Sequence, residues 1–201
     1  LQEANVFIMM DLSTQSLEEL GLDEAARPKA PPVPEATDIH RRRGQQLAAI
    51  HGHYLREMAQ IAAILARIEA RDAPPEHLKR LVLSLDMAEN FRAFGTLCGR
   101  ECQVLKFHHD IESADMFPRI EAASGGKFRE IVARLKAEHE VVHELIIRLR
   151  RAAAVLAEDP SEANFAQAAV TFQKLEAVVR SHFGYEETEL AEAIGYYLGS
   201  I

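Results

Sequence analysis

The sequence predicts an all-α protein: an up-down-up-down four-helix bundle with an N-terminal arm. Three observations predict it. Apolar residues recur at helical spacing through four long stretches. No stretch shows the period-two alternation of a half-buried strand. Glycine and proline are confined to a few places, while Ala, Leu, Glu, Arg and Ile recur throughout, a helix-forming composition. The chain has 201 residues, 48% of them hydrophobic, which suffices for one domain with a sizeable core. The expected division is an arm over residues 1–38 and a bundle over 39–201.

The arm holds the short apolar run Val6-Phe7-Ile8-Met9-Met10, a capping box at Ser16-Leu17-Glu18-Glu19 and a proline cluster from Pro28 to Pro34. It is expected to act as a strap over the bundle or as a dimer contact. The first helix is expected from Asp38, a suitable N-cap, to Arg71, with Asp72-Ala73-Pro74-Pro75 as its stop. The second runs from about Glu76 to Phe117-Pro118 and bends near Gly95 and Gly99. A loop follows at Ala122-Ala123-Ser124-Gly125-Gly126. The third covers Lys127 to Glu158 and stops at Asp159-Pro160. Ser161 caps the fourth, which runs toward Gly195 or Gly199. Short connections make successive helices antiparallel.

Lys and Arg total 23 against 31 Asp and Glu, a net charge of -8, which argues against nucleic acid as a partner. No stretch approaches the ~18 apolar residues of a membrane span. The run at Val6–Met10 is too short for a signal-peptide core and lacks a basic flank. The chain therefore reads as cytoplasmic. Its two cysteines, Cys98 and Cys102, make no disulfide framework and read as small packing residues.

Each histidine can be placed against the apolar stripe of its own helix, since a helix turns about 100° per residue. His51 lies within the stripe of Leu47, Ile50, Tyr54 and Met58, and His53 points away. His108 and Glu112 continue the stripe of the second helix; His109, about a quarter turn off, reads as a rim or supporting group. His139 and His143 share one face of the third helix. His182 and Glu186 share one of the fourth, with Glu187 well off it. The inward set is thus His51, His108, Glu112, His139, His143, His182 and Glu186. Burying so many polar groups without partners would cost several kcal/mol each, and a bound metal removes that cost. A lone histidine such as His51 would read as an ordinary core residue. The His-x-x-x-Glu pair repeated in two helices shifts the balance to a metal site built in a bundle. Glu101 reads as a supporting group, a proton relay or half of a buried ion pair. Tyr54 and Tyr185 read as core packing beside the site; His40, His77 and Arg41-Arg42-Arg43 need no special role.

These motifs resemble the hemerythrin-like (HHE cation-binding) family of four-helix bundles. The carrying residues are Ile50-His51, the segment His108-His109-Asp110-Ile111-Glu112 running to Met116-Phe117-Pro118, Glu138-His139 with His143, and His182-Phe183-Gly184-Tyr185-Glu186-Glu187. The resemblance covers about residues 40 to 198 and leaves the arm outside. It implies a non-haem centre of two iron ions, with the histidines as terminal ligands and the two carboxylates bridging. Members bind dioxygen reversibly, sense oxygen or iron, or handle nitric oxide and peroxide. The His139/His143 pair is like that of the oxygen carriers. Carriers place the fourth-helix carboxylate five residues after the histidine, here Glu187, and most of the broader family four, here Glu186. Geometry and the analogy with Glu112 favour Glu186, and Glu187 stays open. Imidazole and carboxylate suit iron, with manganese or zinc as substitutes. Five histidines and two carboxylates do not fill two octahedra, so a position stays free for dioxygen, nitric oxide or peroxide. The expected function is storage, sensing or scavenging of such a ligand. The alternatives are an enzyme acting on peroxide or nitric oxide, an iron donor for cluster repair, or an interaction bundle with a structural metal. A homodimer through the arm or the outer bundle face is a further expectation.

Overall fold

A computed structural model of the protein describes residues 11–70 and 100–199. The protein is an all-α bundle, and there is no strand among the described residues. The arm carries two short 3-10 turns, Leu12–Thr14 and Glu24–Ala26. Then come α1 (Asp38–Gly44), α2 (Gln46–Glu69), α3 (Arg100–Ile111), a π-helical turn (Glu112–Met116), α4 (Phe117–Ala123), α5 (Arg129–Glu158), α6 (Glu162–Ala193) and a closing π-helical turn (Ile194–Leu198).

Most local signals act where they were expected, but the N-cap of α1 is Thr37, in a capping box with His40, and not Asp38, which is the first helical residue. The Ser161 hydroxyl accepts a hydrogen bond from the Asn164 amide and starts α6. In the arm, Ser16 and Glu19 cap each other: the Glu19 amide donates to Ser16 Oγ at 3.3 Å and the Ser16 amide to Glu19 Oε2 at 2.7 Å. Gly125 and Gly126 take φ of 65° and 82° to turn the chain from α4 into α5.

Two boundaries differ from expectation. The first helix is broken at Gln45, between α1 and α2. Here α1 crosses the C-terminal end of α6 backbone to backbone. A Cβ on Gly44 would collide with the Ala191 carbonyl, and one on Gly195 with the His40 carbonyl. The second helix does not stop at Phe117-Pro118 but continues to Ala123. The π-helical turn explains this: the Phe117 amide bonds to the Glu112 carbonyl, and Pro118 falls in the first turn of α4, where a missing N–H is tolerated. The bend expected near Gly95 and Gly99, together with His77 and Cys98, lies outside the described residues, as do the side chains of Glu101 and Cys102.

The core forms two apolar clusters. One includes Tyr54, Met58, Leu65, Leu105, Val142, Leu149, Phe172 and Phe183. The other includes Leu47, Met116, Phe117, Ile120, Leu135, Leu190 and Ile194. His51 lies between Leu47 and Tyr54 on α2, and His139 between Leu135 and Val142 on α5, so the polar site sits where the clusters meet. The arm runs as a strap over both: Leu20, fully buried, belongs to the first, and Val33 and Ala36 to the second.

Candidate metal centre

Every candidate side chain leaves a helix between apolar neighbours, which sends it inward. His51 comes from α2, His108 and His109 from the end of α3, Glu112 from the π-helical turn, His139 from α5, and His182 and Glu186 from α6. His51, His109, Glu112, His139, His182 and Glu186 are at most 2% exposed.

Two groups of donor atoms form, each within 4.8 Å of one another: His109 with His139 and His182, and His51 with His108 and Glu112. In the second group the Nε2 atoms of His51 and His108 face each other at 3.1 Å. The carboxylates stand between the groups. Glu112 turns Oε1 to His108 Nε2 at 2.9 Å and Oε2 to His139 Nε2 at 3.4 Å. Glu186 Oε2 lies 3.7 Å from His51 Nε2 and 3.8 Å from His182 Nε2.

The far nitrogens of three rings are held from outside. Glu187 Oε1 meets His51 Nδ1 at 3.0 Å, Glu138 Oε2 meets His182 Nδ1 at 3.1 Å, and Ser113 Oγ meets His139 Nδ1 at 2.9 Å. Such partners fix a ring's tautomer so that Nε2 points into the site. Phe183 stacks on the His51 ring at 3.7 Å and an interplanar angle of 3°. The two acids left open by the sequence thus take different places: Glu186 faces the interior and Glu187 the back of His51.

The inner atoms have no such partners. Both ring nitrogens of His109, Nε2 of His139, His143 and His182, and both oxygens of Glu112 and Glu186 are buried without a hydrogen bond. Buried polar atoms are almost always satisfied, and each orphan costs about 1–3 kcal/mol. Eight of these nine atoms, all but His143 Nε2, share one interior, which is what cation ligands look like before the cation is counted. Neutral imidazole nitrogen and carboxylate oxygen, with no thiolate, fit iron, manganese or zinc.

Electrostatics agree. Burial, then repulsion from His108 and His182, pushes His51 down to about 2. Burial also drives His108, His109, His139, His143 and His182 below the ordinary histidine value, so the rings are neutral and free to ligate. Burial pushes the Glu112 and Glu186 carboxyls up, and for Glu186 the neighbouring Glu112 adds to it. Two buried acids side by side lack a positive charge. Glu138 behaves oppositely. Burial alone would raise it, but hydrogen bonds from His182 and Arg27 hold it down at about 2.

His109 corrects the rim placement read from the sequence. It is fully buried and stacks on His139 at 4.0 Å and 4°. The signal was present: Glu112 lies three residues after His109 and four after His108, so at about 100° per residue it falls between them on the helix surface. His143 is brought into neither donor group. Its ring lies 5.5 Å from His109 and 6.3 Å from His139, and it lines a cavity of about 640 Å³ between the arm and α5. Tyr54 packs against Phe183 and His108 in the core. Ser113 carries no signal in the sequence, and Glu138 enters it only as part of the Glu138-His139 motif; each adjoins a ligand-type residue in the chain, but only the packing of α5 against its neighbours shows what they touch.

The bundle and its His/Glu interior define a helical cation-binding protein. Residues 44–194 match the family model for the hemerythrin HHE cation-binding domain, and the chain belongs to that family. Its domain binds metal cations, typically iron. No match was found among curated proteins or among solved structures. No helix among the described residues is long and apolar enough to cross a membrane.

Proposed function

We propose that this protein holds two iron ions and uses them to bind dioxygen or a related small ligand. His51 and His108 serve one ion, and His109, His139 and His182 the other. Glu112 and Glu186 are shared between them. His143, expected from the sequence as a fifth histidine ligand, is assigned to the wall of the neighbouring cavity, with His109 in its place. The observation that carries the reading is the convergence of eight buried donor atoms without a hydrogen bond, from His109, Glu112, His139, His182 and Glu186, on one interior.

When bound, the ions supply the electrons and open coordination that dioxygen, nitric oxide or peroxide require. The chain supplies the rest. Glu187, Glu138 and Ser113 hold three rings with Nε2 inward. Phe183 and Phe117 lie against the histidine rings and help keep water out. The histidines divide two against three, so the His51/His108 side is the poorer in ligands. His108, its side chain 12% exposed, also makes that side the one nearest solvent.

Anaerobic titration of chelator-treated protein with ferrous iron should saturate at about two ions per chain. Stopped-flow mixing of the loaded protein with dioxygen, nitric oxide and peroxide then decides its use. A stable, reversible adduct supports binding and storage. Rapid multiple turnover replaces it with an enzyme of the same site, and loss of iron to an acceptor with an iron donor. One tightly held zinc with no response to dioxygen, nitric oxide or peroxide would overturn it.

A further inference from the structure

The arm lies outside the family match, yet it reaches the back of the metal centre. Arg27 grips Glu138 with a fork: Nε donates to Oε1 at 2.8 Å and Nη2 to Oε2 at 3.0 Å. Oε2 is also the atom that meets His182 Nδ1. Arg134, one turn earlier on α5, donates from Nε to Oε1 at 3.0 Å. Arg27 alone among these cations therefore touches the oxygen that faces the histidine. The pair is shielded, with Arg27 10% and Glu138 2% exposed. In such surroundings a bidentate arginine–carboxylate contact sets geometry as well as energy.

The arm is fastened so that this fork cannot drift. The Arg27 guanidinium lies 4.7 Å above the Tyr185 ring. The Tyr185 hydroxyl donates to the Pro28 carbonyl at 2.8 Å. Glu189 accepts from Lys29 Nζ at 2.8 Å and from the Ala30 amide at 2.7 Å. Arg134 also donates to the Asp23 carbonyl. Pro28, Pro31, Pro32 and Pro34, which follow Arg27, stiffen the segment and lower the entropy of holding it in place.

We propose that Arg27 is a positioning residue of the metal centre: through Glu138 it holds the His182 ring with Nδ1 protonated and Nε2 presented to the cation. The inference rests on the assignment of His182 as an iron ligand. Groups that orient a ligating histidine from behind change metal affinity by about 10–100-fold when removed. The arm is then part of the site, and a chain trimmed to its family domain would hold the metal less well.

Three variants test this in the full chain: Arg27→Gln, Arg27→Lys and, as control, Glu189→Gln. The control removes the ion pair with Lys29 and one of the two acceptor oxygens that hold the arm, while leaving every partner of Glu138 in place. Nitrogen NMR of the chelator-treated protein reads the His182 tautomer, and chelator competition reads ferrous affinity. Arg27→Gln should mix the His182 tautomers and weaken ferrous binding about tenfold or more, with Arg27→Lys between it and the parent. Glu189→Gln should change neither. Parental tautomer and affinity in Arg27→Gln would overturn the inference, as would Glu189→Gln matching it, which would make the arm a strap only. Should Arg27→Gln fail to fold, the same two readouts on Arg27→Lys decide. A parent protein that binds no ferrous iron defeats the proposed function, and the tautomer measurement still decides whether Arg27 positions His182.

Discussion

A histidine three residues ahead of a carboxylate and another four ahead flank it on one side of a helix. His109, His108 and Glu112 are such a trio, and this local geometry was readable from the chain alone. Choosing between His109 and His143 was not. Both are buried enough to leave an unpartnered nitrogen, and both lie beside His139. Only the approach of α3 to α5 and α6 puts His109 within 4.8 Å of His139 and His182 at the donor atoms and leaves His143 at the cavity. His109→Ala is therefore expected to weaken ferrous binding by tenfold or more and to lower the stoichiometry toward one ion. His143→Ala should leave the stoichiometry unchanged. Metal analysis after desalting checks both, and the reverse order would return His143 to the ligand set. The same limit applied to Glu186 and Glu187. Their difference of about 100° was plain, but the position of His51 Nδ1, which gives Glu187 its partner at 3.0 Å, belongs to another helix.

Element boundaries were legible where a cap or turn residue sets them and illegible where packing does. Ser161 starts α6 through its own hydroxyl, and Gly125 and Gly126 make the turn before α5. The break at Gln45 and the π-helical turn at Glu112 leave no such mark. The first arises because α1 must lie directly on α6, and the second adds a residue to the turn that begins at a site carboxylate, a common place for such bulges. Gly44 is the position where this crossing tolerates least. Gly44→Ala pushes a methyl group into the Ala191 carbonyl, a backbone atom that cannot swing aside. The expected loss is about 1–3 kcal/mol, the usual range for overpacking, or more. Gly195→Ala, against the His40 carbonyl, should cost a similar amount. Denaturant melts of the chelator-treated proteins measure both without involving the metal. A loss under about 0.5 kcal/mol, within the usual scatter of surface substitutions, would mean that α1 can lift off α6 freely.

Across the whole molecule, the centre makes stability depend on pH in a way that metal should remove. In chelator-treated protein, six histidines, four buried and two half-buried, stay neutral in the fold but gain protons on unfolding below their ordinary value of 6.5. Stability is lost as pH falls below that point. Glu112 and Glu186 keep their protons in the fold but release them on unfolding above 4.5, so their contribution is lost as pH rises. Six groups outweigh two, and the maximum should lie near 6.5, with a steep acid side and a shallow alkaline side. Loading with ferrous iron supplies the missing positive charge, and the alkaline decline should vanish. Thermal melts from pH 5 to 9 with and without metal test this; an alkaline decline that persists in loaded protein would show that Glu112 and Glu186 do not meet the ions. The sequence by itself determined the helical class, most helix ends, the family and the inward direction of most site residues, because periodicity, caps and four-residue spacing are properties of one helix at a time. Tertiary structure decided which histidine completes the three-histidine group, which acid faces inward, and that the arm's Arg27 stands behind His182. Those depend on distances between helices, which no pattern within a single segment encodes.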